Sequence, residues 1–417
     1  MQKIIKNLKI KRRLITQLAA MHFYGNPSAT MRVVGVTGTN GKTTTTTLLY
    51  KIATALGYKC GLIGTVENMI AGERYPSTHT TPGPVALHRL LAEMKEKGCE
   101  YVFMEVSSHA ADQKRIAGIR FVGGVFTNLT HDHLDYHKSF ENYFYAKRKF
   151  FEYLPTGSFA LSNADDEHGR AIIQGIKARE FFYGFSHSQS MDKMENEDFH
   201  GEIQKMDFAG IDMDIHGTKI HTKLLGQFNA YNILSVWGAC KLLDFDMPKV
   251  NKILETIEPP RGRFDHFMSE RGVLGIVDYA HTPDAMEKVL LTIRGIKPLE
   301  GRLITVAGCG GDRDPLKRRA MGKIAAVNSD IAIFTADNPR SEDPEKIIAE
   351  MKTDLGMTDA KKVQSITNRR EAIREAAKLA QPGDIIAVLG KGHEDYQEIR
   401  GVKHHFNDME ELKKALK

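Results

Sequence analysis

The sequence predicts an α/β protein with two successive parallel-sheet domains. A central P-loop domain with a small antiparallel region covers residues 31–260, and a second, Rossmann-like α/β domain covers 261–417. Three observations carry this reading. Apolar runs of strand length alternate with helical patterns, the order expected of a parallel sheet covered on both faces. The alternation lapses into short polar segments from about Phe185 to Leu224, then resumes after "IEPPRGRF", whose prolines and glycine break a helix. A glycine-rich turn, "GVTGTNGKTT", joins the first strand to the first long helix.

Taken in order, residues 1–30 form a short basic segment. Lys3, Lys6, Lys9, Lys11, Arg12 and Arg13 have no acid among them and account for the net charge of +6. This reads as a solvated basic helix rather than a nucleic-acid or membrane patch. Its apolar part is too short and interrupted for a signal peptide, and no run reaches the roughly 18 residues of a membrane span. The expected setting is cytoplasmic, with no nucleic-acid partner. The four cysteines, Cys60, Cys99, Cys240 and Cys309, lack metal-ligand spacing and read as free thiols. At 417 residues the chain has room for two or three cores.

"MRVVGVTG" predicts a strand and "KTTTTTLLYKIATALGY" the helix after it, while "CEYVFMEV" and "IRFVGGVFTNL" predict two further buried strands. The stretch Phe185–Leu224 predicts an antiparallel hairpin region at the edge of this first domain. "GVLGIVDYA", "RLITVAG", "DIAIFTADN" and "DIIAVLG" predict the sheet of the second.

The turn between first strand and helix carries the strongest chemical signal. Gly38 and Gly41 let backbone approach phosphate, with Thr39, Asn40 and Thr44 completing the loop. Lys42 brings a positive charge to the β/γ-phosphates, and Thr43 can ligate magnesium. The glycines fall at Gly35, Gly38 and Gly41, a variant of the usual spacing. Glu105 closes an apolar run where open α/β sheets place ligands, and "TNLTHDHLDYH" offers His133 after the next strand. A carboxylate and an imidazole there can share a divalent cation with phosphate oxygens.

The ordered set "GTNGKTT", "MEVSSH", "TNLTHDHLDYH", "YAKRKFF", "GQFNAYN", "DYAHTPDA", "GGDRDPLKR", "DNPRSEDP" and "GKGHEDYQ" resembles the Mur ligase family, more narrowly its UDP-N-acetylmuramoyl-tripeptide synthetases. The resemblance implies ATP and Mg2+ as cofactors, a carboxylate activated as an acyl phosphate, and small-molecule substrates: a nucleotide-sugar peptide and an amino acid. It assigns Lys42, Glu105, His133 and Lys147 to catalysis, with Thr43, Glu105 and His133 toward the metals. Lys147 would be a carbamate, although its residues alone read as a solvated helix lysine. It assigns Asn229, Asn232, Arg263 and Asp278 to ATP, and Thr80, Thr81, Ser107 and Arg115 to the muramoyl peptide. In "TADNPRSED" the resemblance implies the amino-acid pocket: Asp337, Asn338 and Arg340, with Arg313, Gly390 and Glu394, suited to meso-diaminopimelate. Arg340 would meet its distal carboxylate and the acids its ammonium groups. His281 and His393 are candidates to accept the amine's proton.

The family carries a uridine-binding domain before its P-loop, and residues 1–30 resemble only the tail of one. Three arrangements stay open: the central domain holds the nucleotide sugar alone, a protein partner supplies the surface, or the substrate lacks uridine diphosphate and the chain is another amide ligase. A partner-dependent nucleotide-binding subunit is the remaining alternative.

Overall fold

A computed structural model of the chain describes residues 15–185 and 198–417, so the basic stretch at 3–13 lies outside the described residues. The chain divides into two compact units. One takes the chain to Lys205 together with Gly210–Glu258, and the other takes Met206–Ala209 and Pro259–Lys417.

The first unit is built on an eleven-stranded sheet. Its strands are β1 (Arg32–Thr37), β2 (Cys60–Ile63), β3 (Glu67–Ile70), β4 (Glu73–Pro76), β5 (Tyr101–Glu105), β6 (Phe121–Phe126), β7 (Phe159–Asn163), β8 (Arg179–Phe185), β9 (Phe199–Asp207), β10 (Gly210–Ile215) and β11 (Thr218–Thr222). They lie in the order β11-β10-β9-β8-β7-β6-β1-β5-β2-β3-β4. The middle strands are parallel and almost wholly buried, as their unbroken apolar sequences require. β10 and β11 form the predicted antiparallel hairpin at one edge, but β9 joins β8 in parallel. The opposite edge, β2 to β4, is a second antiparallel meander that the sequence reading did not anticipate.

Register brings the functional ends together. Val36 stands opposite Glu105, and Thr37 opposite Phe126, so β1, β5 and β6 release their loops at the same edge. The helix Phe140–Glu152, capped by Ser139, presses tightly on this sheet. A Cβ at Gly35 or Gly124 would collide with the Phe150 ring, at 2.5 and 2.9 Å, so the two glycines set how closely the helix approaches. Its buried residues Tyr143, Ala146, Lys147, Phe150 and Phe151 form one stripe. Lys147 is therefore carried inward with the apolar stripe, only 2% exposed, and the solvated reading of its residues does not hold.

The second unit has a six-stranded sheet of β12 (Asp265–Met268), β13 (Leu274–Asp278), β14 (Leu303–Ala307), β15 (Ile331–Phe334), β16 (Val363–Ser365) and β17 (Ile385–Leu389), ordered β12-β13-β17-β14-β15-β16. Only β12 is antiparallel. A small hairpin, β18 (Tyr396–Ile399) and β19 (Val402–His405), follows. Asp278, Ala307 and Leu389 lie level across the sheet, so the loops after β13, β14, β15 and β17 crowd one edge. All four cysteines are free and buried, and no helix among the described residues is long and apolar enough to cross a membrane.

One packing detail of the first unit sets a pH response. His88, on the helix Pro84–Glu96, is fully buried with its Nε2 2.8 Å from Gln17 Nε2, and burial pushes its pKa down to about 4. The unfolded chain, with an ordinary histidine pKa of about 6.5, binds more protons between those values, so stability must fall as pH drops through that window. About 2 kcal/mol should be lost between pH 7 and pH 5. Thermal unfolding of His88→Gln should show a shallower fall in midpoint over that range; an unchanged slope would remove His88 as the cause.

Candidate active site

In the first unit the loop after β1 folds back on itself. Lys42 Nζ donates to Gly38 O and Thr39 O, at 2.8 and 2.7 Å, while Thr39 N and Asn40 N are held by Asn128. Gly38 (φ 150°) and Gly41 (φ 85°) have no room for a side chain: a Cβ would lie 1.9 Å from Thr127 Oγ1 and 2.5 Å from Asn232 Oδ1, respectively. Asn232, linked to Asn229 at 3.1 Å, thus backs the loop from the buried start of the helix Gln227–Leu242. Thr44 is buried on the helix Lys42–Ala55, whose N-terminus opens at this loop.

Lys147 Nζ donates to the same Gly38 O at 2.6 Å and lies 4.6 Å above the Tyr143 ring. Burial holds its pKa well below the ordinary lysine range, and the neighbouring Lys42 charge adds to the effect. Both effects disfavour its charged form. Tyr143 OH in turn meets Thr39 Oγ1 at 3.1 Å.

Glu105, 1% exposed, is the hub of the strand ends. Its Oε1 accepts from Thr43 Oγ1 at 3.0 Å and Thr65 N at 2.7 Å, and Oε2 accepts from Thr65 Oγ1. Thr65 continues to Thr80 at 2.9 Å. Thr81 Oγ1 donates to Glu105 O and accepts from Ser107 N, and Arg115 Nη1 reaches Thr81 O at 2.8 Å. Thr80, Thr81, Ser107 and Arg115 therefore assemble around the end of β5. Thr65 and Gln113, which accepts from Arg115 Nε and Nη2, belong to the same network and were not read from the sequence.

His133 takes a left-handed backbone (φ 53°), with its Nε2 3.5 Å from Asp132 Oδ2 and its ring 5.0 Å from that of His109. About half its side chain meets solvent (48%), yet crowding by the surrounding protein keeps its pKa below the usual range. A neutral imidazole can ligate a cation. Among the described residues no three His, Cys, Asp or Glu side chains gather into a metal site. Any cation here would need phosphate or water oxygens beside Thr43 and Glu105, and that oxygen-rich pair suits a hard ion such as magnesium.

In the second unit Asp278, buried at the end of β13, accepts from Phe264 N at 2.7 Å; burial pushes its pKa up to about 6 against the pull of Arg263. Arg263 lies over the Tyr279 ring, which also touches the rings of His281 and His393.

Beside them, Asp337, Asn338, Arg340, Gly390 and Glu394 converge. Asn338 Nδ2 donates to Glu394 Oε2 at 2.7 Å, and its Oδ1 accepts from Glu398 N. Arg340 (φ 52°) donates to Gly311 O at 2.6 Å, with Nε 3.6 Å from Glu398 Oε2. Gly390 (φ 116°) has no space for a Cβ, which would lie 2.5 Å from Asp337 Oδ2. Arg313 stands exposed at the rim beside Gly310, whose missing Cβ would lie 3.0 Å from Arg340 Nη1. Acidic and basic groups thus collect on the loops after β15 and β17.

Comparison with known proteins agrees with this chemistry. The Mur ligase middle domain matches residues 36–240, and the Mur ligase glutamate ligase domain matches 262–392. A UDP-N-acetylmuramoyl-L-alanyl-D-glutamate–2,6-diaminopimelate ligase of Bacteroides fragilis is 51% identical over 398 residues, covering 95% of this chain and 80% of the relative. The enzyme of the same name from Aquifex aeolicus is 41% identical over 399 residues, 95% of this chain and 80% of its own. A solved structure bearing that name is 34% identical, with a TM-score of 0.65 over 93% of this chain and 78% of the other. The folylpolyglutamate synthase of Mycobacterium tuberculosis, 17% identical with a TM-score of 0.71 over 90% and 92%, shares the fold.

Proposed function

As a member of the Mur ligase family the chain is an acid–amino-acid ligase, and we propose how its residues serve the addition of meso-diaminopimelate to UDP-N-acetylmuramoyl-L-alanyl-D-glutamate. ATP is the second substrate. Its phosphates would lie on the loop from Gly38 to Thr44, with Lys42 released from its carbonyl contacts to meet them. Magnesium, held by Thr43, Glu105 and His133 together with phosphate oxygens, would supply neutralisation of phosphate charge. Asn229 and Asn232, which back that loop within the same unit, would serve the rest of the nucleotide.

The D-glutamyl carboxylate attacks the γ-phosphorus, giving an acyl phosphate and ADP. The amine nitrogen then attacks the acyl carbon, the bond to the phosphate oxygen breaks, and the amine's proton passes to a base. Thr80, Thr81, Ser107 and Arg115 would orient the peptide carboxylates near the end of β5. The unprotonated Lys147 amine is the form that adds carbon dioxide, releasing one proton and leaving an anionic carbamate. A carbamate would place a negative charge beside the Lys42 ammonium, which shares Gly38 O with Lys147.

The observation that carries the choice of amine is the cluster of Asp337, Glu394 and Arg340. Diaminopimelate has a distal carboxylate for Arg340, which L-lysine lacks. The kcat/KM for meso-diaminopimelate should exceed that for L-lysine by at least about a hundredfold. Comparable values would remove this reading of the pocket.

A further inference from the structure

Behind the amine pocket lies a buried lysine with no role so far. Lys391 follows Gly390 directly and is 0% exposed, so it cannot touch a substrate itself. Its Nζ donates to Asn338 Oδ1 at 3.1 Å and to Glu394 Oε2 at 3.0 Å, and lies 5.4 Å from the centre of the Tyr396 ring. Asn338 Nδ2 donates to the same Glu394 oxygen, so Lys391, Asn338 and Glu394 close a triangle in which each side chain bonds both others. Glu398 N fills the remaining position on Asn338 Oδ1, which fixes the amide's orientation: oxygen toward lysine, nitrogen toward glutamate.

Charge gives a second argument. Three carboxylates gather here: Asp337, Asp408 and Glu394, whose side chains are at most 16% exposed. Two buried cations answer them, Arg369, paired with Asp408 at 2.7 Å, and Lys391. Burial raises the Asp337 pKa and the Glu394 and Asp408 charges add to it, while the Lys391 and Arg369 charges pull it back down. Arg340 is matched by its own acid, Glu398, so two cations against three acids leave one negative charge uncompensated, which a single incoming ammonium would neutralise. Without Lys391 the deficit would be two, and a buried carboxylate in that state takes up a proton rather than bind as an anion.

We infer that Lys391 is a positioning and specificity-determining residue of the amine pocket: it orients Asn338 and Glu394 and sets the pocket's charge to accept one ammonium group. The inference rests on the amino-acid role proposed for this pocket and deepens it. Lys391 would act only on the amine, and not on ATP or the nucleotide-sugar peptide.

The test is steady-state kinetics of Lys391→Met with each substrate varied in turn, alongside thermal unfolding. The KM for diaminopimelate should rise at least about tenfold, while those for ATP and the nucleotide-sugar peptide stay within about twofold. Lys391→Arg keeps the charge but spreads it over a planar fork that cannot occupy the point shared by Asn338 and Glu394. Its amine KM should rise about three- to tenfold, and it stands in if the methionine variant does not fold. An unchanged amine KM in whichever variant folds overturns the inference, as does an equal rise in all three KM values. Wild-type protein that fails to consume diaminopimelate would instead overturn the proposed function, and this inference with it.

Discussion

Lys147→Ala should lower amide formation by roughly a thousandfold, about 4 kcal/mol of barrier, while ATP binding weakens only a few fold. Lys147 is the charged-type residue of the buried stripe that packs the helix Phe140–Glu152 on β1 and β6, and its Nζ sits on the Gly38 carbonyl of the phosphate loop. The loop keeps its own contacts to Asn128 without it, so nucleotide binding should survive. What would be lost is the nitrogen proposed to become the carbamate anion. Wild-type protein equilibrated with 13C-bicarbonate should show a carbamate carbon resonance that is missing from Lys147→Ala. Unchanged turnover in the variant would remove the carbamate from the mechanism.

Arg340→Ala should raise the KM for diaminopimelate about a hundredfold, near 3 kcal/mol, and bring it close to that of L-lysine. Arg340 is held on a left-handed backbone with Gly311 O and Glu398 as its partners, so its guanidinium is already oriented before a ligand arrives. Preorganised charge is lost in full when truncated, and Glu398 is left without its partner. Competition kinetics with the two amines measures this directly. A variant that still prefers diaminopimelate by the wild-type ratio would show that the distal carboxylate is read elsewhere.

The parallel cores of both units were legible because buried strands leave unbroken apolar runs that composition alone exposes. The edge meander from β2 to β4 was not. Its strands have only four residues each, and β4 is mostly exposed, so no period develops. Lys147 shows where a pattern was present but read too narrowly: Tyr143, Ala146, Lys147, Phe150 and Phe151 keep helical spacing, and a lysine on that stripe is a buried lysine. Gln113 lies only two residues from Arg115, its partner, whereas Thr65 carried no local signal. Thr65 reaches Glu105 across 40 positions of sequence, because β2 and β5 are neighbours in the sheet. Lys391 lies inside "GKGHEDYQ", yet its partner Asn338 is 53 residues away.

The measurement that bears most directly on the account is a single incubation with ATP, magnesium, meso-diaminopimelate and UDP-N-acetylmuramoyl-L-alanyl-D-glutamate labelled with 18O in its glutamyl carboxylates. Mass spectrometry then follows both the peptide product and the released phosphate. The account predicts a product that has gained one diaminopimelate residue and lost one 18O from its glutamyl carboxylates, and inorganic phosphate carrying that 18O, passed on when the acyl phosphate breaks. Amide formed with unlabelled phosphate, or ADP released without any amide, would contradict it.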